Sequence, residues 1–119
     1  VVLQQNRRRF PEKVDFVTCP GYLDGKEGRR EECGLIPNTG PWMVITDMGI
    51  YEFVDREMTL ASVHTSPGVT LERVRAETGW DLEVSPRLRD TEPPTEKELR
   101  VLREQVDPKR LFIDGKFAL

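Results

Sequence analysis

The most regular part of the chain runs from Trp42 to Val63 and reads WMVITDMGIYEFVDREMTLASV. Three runs rich in β-branched and aromatic residues, at 42–46, 50–54 and 58–63, are separated by two turns of three residues each. Turns this short join neighbouring strands that run in opposite directions. The stretch therefore predicts an antiparallel meander of three strands.

A short helix is predicted after the meander, from Leu71 to Thr78. Thr70 precedes it as an N-cap, a position where a hydroxyl accepts a backbone N–H of the first turn. Leu71, Val74 and Thr78 recur at i, i+3 and i+7, so they form one stripe on the helix surface. Gly79 is placed to end the helix.

The next segment predicts a strand, a linker and the start of a second helix. Apolar side chains alternate from Trp80 to Val84, which favours a strand with every second residue directed inward. The polar, Pro-rich residues 86–94 predict a linker. Thr95 with Glu98 three residues later has the pattern of a capping box, so a helix is expected to begin there.

This second helix is expected to extend to about Val106, with Leu99 and Leu102 on the same apolar stripe. Pro108 ends it, because proline cannot continue a helix. The apolar tail at residues 111–113 is expected to be tied down, against a neighbouring subunit.

The N-terminal third predicts two short strands, at residues 1–3 and 14–18, followed by a long Gly- and Pro-containing loop at 19–39. Loops of this length are uncommon in compact domains and often serve as lids, binding loops or partner contacts. The basic run Arg7–Arg9 is interpreted as a solvated exit from the first strand. The alternative is a grip on a phosphate or on a partner's carboxylates.

Composition narrows the class of protein. The chain has 119 residues, about one domain, and its 18 Lys+Arg against 21 Asp+Glu give a net charge of -3. No global positive field exists to hold nucleic acid or an anionic membrane. The sequence has no signal-peptide pattern and no apolar run long enough to span a bilayer, so a cytoplasmic protein is expected. Because it begins at Val1, inside a predicted strand, we expect the C-terminal part of a longer polypeptide.

Few residues have side chains that suggest catalysis or metal binding. The lone histidine, His64, ends a predicted strand and is interpreted as a hydrogen-bonded structural residue. Cys19 precedes Pro-Gly and could be a nucleophile, but no base is marked by spacing, so a small semi-buried hydrophobe is favoured. Cys33 lies in a charged loop; both thiols are expected to be reduced. No nucleotide-binding glycine loop and no metal-ligand cluster is present in the sequence.

An ordered series of short motifs points to a family. The blocks are Arg8-Arg9-Phe10, Lys13-Val14-Asp15-Phe16-Val17-Thr18, Pro20-Gly21-Tyr22, Gly40-Pro41, Val44-Ile45-Thr46-Asp47-Met48-Gly49 with Phe53, His64, Pro67-Gly68-Val69-Thr70 with Val74, and Thr78-Gly79-Trp80. In this order and spacing they resemble the B subunit of glutaconate CoA-transferase and its relatives. The sequence departs from the family where Thr65 and Ser66 separate His64 from Pro67, and where Cys19 replaces a common Ser.

The resemblance implies an α/β fold of the NagB/RpiA/CoA-transferase type. This chain would be its C-terminal portion, with a mixed sheet, an antiparallel strand meander and flanking short helices. Residues 1–85 would form the mixed-sheet part, residues 86–94 the Pro-rich linker, and residues 95–119 the C-terminal helix and tail.

The family implies a heteromeric enzyme of A and B subunits with its active site at the subunit interface. A glutamate carboxylate attacks an acyl-CoA, passes through an anhydride and becomes a glutamyl-CoA thioester before CoA moves to the acceptor acid. Backbone N–H groups stabilise the oxyanions. That glutamate lies upstream of Val1, so no catalytic residue is assigned here.

The expected substrate is a coenzyme A thioester, and no bound cofactor or metal is expected. The expected partners are an A-type subunit and the upstream half of the B subunit, with neither nucleic acid nor membrane. Relatives of the same fold include thioester hydrolases and a decarboxylase with a cysteine in place of the nucleophile, and these remain alternatives. A non-catalytic interaction domain and an independent thiol enzyme using Cys19 are the other two.

Overall fold

The computed structural model describes residues 2–112, which form a five-stranded mixed sheet flanked by short helices. The elements, in chain order, are β1 (Val2–Leu3), α1 (Arg29–Glu32), β2 (Met43–Thr46), β3 (Gly49–Val54), β4 (Glu57–His64), α2 (Leu71–Ala76), β5 (Val84–Thr91), α3 (Glu96–Val101) and a π-helical turn (Leu102–Val106). The strands stand in the sheet in chain order. β1 is parallel to β2 and β5 is parallel to β4, while β2, β3 and β4 pair antiparallel.

The predicted meander is confirmed as β2, β3 and β4. In its first turn the Thr46 hydroxyl accepts the backbone N–H groups of Met48 and Gly49, each at 3.0 Å. In its second turn Val54 pairs with Glu57, which leaves only two residues, Asp55 and Arg56, to reverse the chain. Both have positive φ, 50° and 72°, as a two-residue hairpin turn of the favoured twist requires.

The core lies between one face of the sheet and a layer made of α2 and the segment after β1. Its buried apolar residues are Phe10, Met48, Tyr51, Leu60, Val63, Val74 and Leu82. The Thr70 cap is confirmed, because its hydroxyl accepts the Arg73 backbone N–H at 3.2 Å. The predicted stripe on α2 is also confirmed: Val74 and Thr78 are buried and Leu71 packs at the core margin.

The strand predicted at residues 14–18 is wrong. These residues form neither strand nor helix, and the apolar side chains of Val14, Phe16 and Val17 are exposed. A short apolar run becomes a strand only if another strand is available to pair with it, and none among residues 2–112 does so here.

The strand predicted at residues 80–84 is displaced along the chain. Leu82 is buried as expected, but the strand is β5, which begins at Val84 and extends through most of the predicted linker at 86–94. β5 lies at the sheet edge, where a proline and charged residues are tolerated, so its sequence has the composition of a linker. Residues 85–88 bulge opposite Ala61, because Leu60 pairs with Val84 and Ser62 with Arg89.

The C-terminal helix begins with the predicted capping box. Thr95 Oγ1 accepts the Glu98 N–H at 3.3 Å, and the Glu98 carboxylate accepts the Thr95 N–H at 2.7 Å. Helical structure continues to Val106 as expected, the last five residues as a π-helical turn. Its apolar stripe is largely uncovered, since Leu102 and Val106 are exposed. Of the predicted tied tail, residues 111 and 112 are also exposed, and Ile113 lies outside the described residues.

Candidate functional site

A buried polar cluster joins the segment after β1 to the sheet and to α2. Its centre is Gln5, whose side-chain carbonyl accepts hydrogen bonds from the hydroxyls of Tyr51 at 2.7 Å and Thr46 at 3.0 Å. The Gln5 amide donates to Thr78 Oγ1 at 3.0 Å and to the Val74 carbonyl at 3.3 Å. Every member of this cluster is buried and partnered, as a polar group inside a core must be.

The cluster has no acid–base chemistry of its own at neutral pH. Gln5, Thr46 and Thr78 do not titrate, and burial raises the pKa of the Tyr51 hydroxyl above its ordinary value. Tyr51 therefore remains a neutral hydrogen-bond donor to Gln5. We interpret the cluster as a device that fixes the position of α2 and the first segment on the sheet.

The motif Thr78-Gly79-Trp80 completes the same joint. The Gly79 N–H donates to the Phe10 carbonyl at 2.8 Å, and a β-carbon at Gly79 would lie 2.5 Å from that oxygen. The Trp80 ring stacks on Phe10 with centroids 5.6 Å apart and planes 7° from parallel. Phe10 also contacts Tyr51, with ring centroids 5.9 Å apart. These residues serve packing, not chemistry.

His64 is a hydrogen-bonded structural residue, as the sequence predicts. Its Nε2 lies 2.9 Å from the Thr46 carbonyl, which can only accept, so Nε2 carries the proton and donates. Its Nδ1 lies 2.9 Å from Thr91 Oγ1, which in turn is 3.2 Å from Ser62 Oγ. The ring thus ties β4 to the end of β2 and to β5.

The two cysteines are free and exposed. The expectation of a semi-buried Cys19 is therefore wrong, because residues 14–19 form neither helix nor strand and are all exposed. Neither thiol has a hydrogen-bonded base among the described residues, and no group of three or more His, Cys, Asp or Glu side chains in that part of the chain could hold a metal ion. Neither cysteine forms a nucleophile–base pair with another of residues 2–112.

The long loop is organised by an arginine. Its sequence predicts no secondary structure, but it contains the one-turn helix α1, from which Arg30 extends over the Tyr22 ring at 5.7 Å from its centroid. The Arg30 guanidinium donates to the Gly21 carbonyl and, at 3.0 Å, to Thr39 Oγ1. Tyr22 packs on Phe53 of β3, with ring centroids 5.4 Å apart. Both ends of the loop are thereby held near the sheet.

Open clefts of about 430 and 620 Å³ lie between this loop and the β3–β4 turn. Two of their basic groups face carboxylates: Lys26 Nζ is 3.5 Å from Asp24, and an Arg56 nitrogen is 3.9 Å from Glu27. Arg30, which also lines the smaller cleft, donates instead to the Gly21 carbonyl and to Thr39. A cleft of mixed charge has little net attraction for a phosphate group. The clefts do not by themselves identify a ligand.

The basic run Arg7–Arg9 is exposed, as its interpretation as a solvated exit expects. The Arg9 guanidinium donates to the side chain of Gln4 at 3.1 Å, and the Arg7 N–H donates to the Glu77 carboxylate at 3.4 Å. The run forms a turn that brings Phe10 into the core, since the N–H groups of Arg9 and Phe10 both donate to the Asn6 carbonyl at 2.9 Å.

Sequence reasoning misses the centre of the polar cluster. Gln5 directly follows another glutamine and carries no charge, so nothing in its local pattern distinguishes it from a surface residue. The motif positions around it are identifiable, because Thr46, Gly49, Thr78 and Gly79 belong to the blocks that resemble a family. In the structure Thr46 and Gly49 form the turn between β2 and β3, while Thr78 and Gly79 contact Gln5 and Phe10 of the first segment.

The comparison with known sequences gives a consistent result, although no protein-family model matches the chain. It is 37% identical over 113 residues to the B subunit of glutaconate CoA-transferase from Acidaminococcus fermentans, covering 95% of this chain and 42% of that one. It is 38% identical over 105 residues to the B subunit of 3-oxoadipate CoA-transferase from Pseudomonas knackmussii, covering 87% and 39%. The IpdB polypeptide of a cholesterol ring-cleaving hydrolase from Mycobacterium tuberculosis is 30% identical over 105 residues, covering 88% and 40%.

Solved structures agree in fold. The glutaconate coenzyme A-transferase of Acidaminococcus fermentans superposes with a TM-score of 0.84 at 38% identity, covering 94% of this chain and 42% of that one. Rhodococcus jostii IpdAB superposes with a TM-score of 0.69 at 26% identity, covering 92% and 43%. The expected α/β CoA-transferase-like fold with a mixed sheet is confirmed.

The present chain spans less than half the length of these relatives. Within the described residues no helix is long and apolar enough to cross a membrane. The similarity to these relatives extends over almost the whole chain, in sequence and in fold. Over almost its whole length the chain is similar to part of the B subunits of CoA-transferases, among them the B subunit of glutaconate CoA-transferase.

Proposed function

We propose that this chain is the C-terminal part of the B subunit of a heteromeric acyl-CoA:carboxylate CoA-transferase. The observation that carries the proposal is the 37% identity to the glutaconate CoA-transferase B subunit over 95% of the chain. The second transferase relative acts, by its name, on another dicarboxylic acid. The proposed substrates are therefore CoA thioesters of small or dicarboxylic acids, and the proposed partner is an A-type subunit.

In this proposal the described residues support an active site built elsewhere. The buried Gln5 and the half-buried His64 are both used in structural hydrogen bonds. The nucleophile is a carboxylate outside these 119 residues. It attacks the acyl-CoA carbonyl and releases CoA thiolate; the thiolate then attacks the enzyme's own acyl carbon in the anhydride and releases the donor acid. The same two steps in reverse transfer CoA to the acceptor acid.

The test is thioester exchange by the assembled enzyme. The complete B subunit is co-expressed with its A-type subunit and mixed with acetyl-CoA and either glutaconate or a monocarboxylate of similar size, and new thioesters are measured by mass spectrometry. Formation of an acceptor CoA thioester with matching loss of acetyl-CoA supports the proposal. Properly assembled protein that forms no new thioester with any acid tested contradicts it.

A thioester or ring-cleaving hydrolase is the second candidate, favoured by the 30% identity to a hydrolase polypeptide over 88% of the chain. The same assay separates the two reactions. A thioester hydrolase releases free CoA at a rate independent of acceptor acid, whereas a transferase conserves the thioester. A ring-cleaving hydrolase adds water across a bond of a cyclic acyl group and leaves acetyl-CoA unchanged. A decarboxylase of this fold would instead release carbon dioxide from an acyl-CoA without any acceptor.

A non-catalytic scaffold or interaction domain is the third candidate. It predicts a well-folded monomer when the 119 residues are expressed alone, which size-exclusion chromatography with light scattering would detect. A cytoplasmic location is part of the proposal, and the two unpaired cysteines support it. Slow, ordinary labelling of Cys19 by iodoacetamide at neutral pH would exclude an independent thiol enzyme.

A further inference from the structure

The C-terminal helix, made of α3 and the π-helical turn, has an apolar groove on its surface. A cleft of about 410 Å³ lies along it, lined by Thr95, Lys97, Glu98, Val101, Leu102 and Val106. The side chains of Leu102 and Val106 are 41% and 69% exposed. An apolar stripe on a helix is normally buried against another segment of polypeptide. We call this cleft the helix groove.

The chain curls round one carboxylate at the end of this helix. The Arg110 N–H donates to the Asp107 carbonyl at 2.9 Å, and the φ of Arg110 is 52°, in the left-handed region. The Asp107 carboxylate accepts the N–H groups of Leu111 and Phe112, each at 2.8 Å. Hydrogen bonds to an ionised acceptor are stronger than those between neutral groups. Residue 112 is therefore held beside the end of the helix, one hydrogen bond from Asp107.

The seven residues that follow this anchor, 113–119, have the sequence pattern of an extended segment with one apolar face. They read IDGKFAL and lie outside the described residues. In an extended chain alternate side chains share a face, which groups Ile113, Phe117 and Leu119 on one side and Asp114 and Lys116 on the other. Contact with an apolar surface stabilises such a face, because it removes the three side chains from water.

The length of this tail matches the length of the helix groove. The helix between Thr95 and Val106 is about 17 Å long at 1.5 Å per residue. Seven extended residues span about 23 Å at 3.3 Å per residue. From its anchor beside Asp107 the tail can therefore reach every part of the groove. A tethered segment has an effective concentration in the millimolar range, which favours it over an untethered polypeptide of equal affinity.

We propose that residues 113–119 are a strap that folds back over the C-terminal helix, with Phe117 in the helix groove beside Val101 and Leu102. The sequence pattern by itself favours a neighbouring subunit as the surface that holds the tail, whereas the curl at Asp107 favours the tail's own helix. The strap shields this apolar face from other polypeptides. The inference does not depend on the proposed function, because it uses only contacts and lengths within this chain.

Site-specific photo-crosslinking tests the location of the strap. Benzoylphenylalanine is placed at Phe117 of the complete polypeptide, purified with the subunits that accompany it, and compared with the same probe at Ile36, which is 72% exposed in the long loop. A crosslink from position 117 to residues 95–106, at the mass of a single chain, is expected, and none to these residues from position 36. A crosslink from position 117 to another subunit, to a second copy or to a part of the chain upstream of Val1 overturns the proposal, as does the absence of any crosslink to residues 95–106.

Thiol labelling gives an independent readout of whether the groove is covered. Leu102→Cys is compared with Val54→Cys, a control on β3 at a side chain that is 53% exposed, and labelling at each position is followed by peptide mass spectrometry. Adding Phe117→Asp should speed labelling of Leu102→Cys about tenfold, because a covered thiol is withheld from the reagent, and leave Val54→Cys within about twofold.

An unchanged labelling rate of Leu102→Cys contradicts the strap, since the groove is then either open or covered by something else. Equal acceleration at both positions also contradicts it, because the tail would then act on the fold as a whole. Neither readout measures catalysis, so failure of the proposed function would be seen separately.

Discussion

Gln5 shows how much of this domain rests on one uncharged side chain. Its amide donates to the Val74 carbonyl of α2 and to Thr78 just after that helix, while its carbonyl accepts from Thr46 of β2 and Tyr51 of β3. A side-chain amide can donate and accept hydrogen bonds at the same time. Gln5 can therefore donate to one hydroxyl and accept from two others without introducing a charge into the core. A carboxylate at this position could only accept and would carry a desolvation cost.

Gln5→Leu should therefore destabilise the protein by about 2–4 kcal/mol, because the Tyr51 hydroxyl would be left buried without its acceptor. Urea unfolding of the complete subunit measures the change. Gln4→Leu is the matched control at an exposed position and should alter stability by less than about 0.5 kcal/mol. Equal effects of the two substitutions would show that the cluster is not important for the fold.

Because of Tyr51, the free energy of unfolding should depend on pH in the alkaline range. Burial raises its pKa above the ordinary 10.0, so the folded state retains the proton to higher pH than the unfolded chain. This contribution is complete below the unfolded pKa and is lost as pH rises through the folded pKa. Unfolding free energies measured across this range should fall more steeply for the natural protein than for Tyr51→Phe. Parallel curves would contradict a buried, protonated Tyr51.

A comparison of Gly79→Ala with Gly28→Ala separates the free-energy cost of steric crowding from that of backbone conformation. The new β-carbon would meet the backbone of residues 10–12, with the Phe10 oxygen at 2.5 Å, so the cost should be about 3 kcal/mol. Gly28→Ala, which has open space but a φ of +72°, should cost about 1 kcal/mol. Thermal melts of both variants measure the difference, and a Gly79→Ala variant as stable as Gly28→Ala would exclude close contact between these segments.

Among the helices and strands, the sequence correctly predicts those that depend on contacts between residues close together in the chain. The meander follows from its own turns, and α2 and α3 begin where threonine hydroxyls accept backbone N–H groups. The errors fall where pairing depends on distant residues. Residues 14–18 have the composition of a strand, but no strand among the described residues pairs with them. β5 has the composition of a linker, but it pairs with β4. The centre of the polar cluster depends on residues more than forty positions apart.

The capping box of α3 should respond to acid. Hydrogen bonds from the Thr95 backbone and hydroxyl lower the pKa of Glu98 below its ordinary 4.5. The stabilisation is present above the unfolded pKa and is lost as pH falls through the lowered folded pKa. The NMR shift of the Thr95 amide should titrate with a midpoint below 4.5 and stop titrating in Glu98→Gln. A midpoint at or above 4.5 would mean that the box does not form in solution.

For the molecule as a whole, the sequence motifs and the structure indicate the same family resemblance and the same structural role for the motif residues. The resemblance rests on residues that the structure uses for packing and turns, which explains why the fold could be predicted while no catalytic residue could. The chain spans less than half of its relatives' length, and within residues 2–112 the side chains of Phe16, Val17, Leu102 and Val106 are exposed.

In the proposed division of labour, these 119 residues support a CoA-transferase active site without supplying its nucleophile. A trapping experiment tests this: the assembled complex is incubated with acyl-CoA, the enzyme thioester is reduced with borohydride, and the modified residue is located by peptide mass spectrometry. One modified carboxylate is expected in the B subunit, on a peptide outside the sequence Val1 to Leu119. Modification within this sequence, at Cys19 or at any acidic residue, would contradict it.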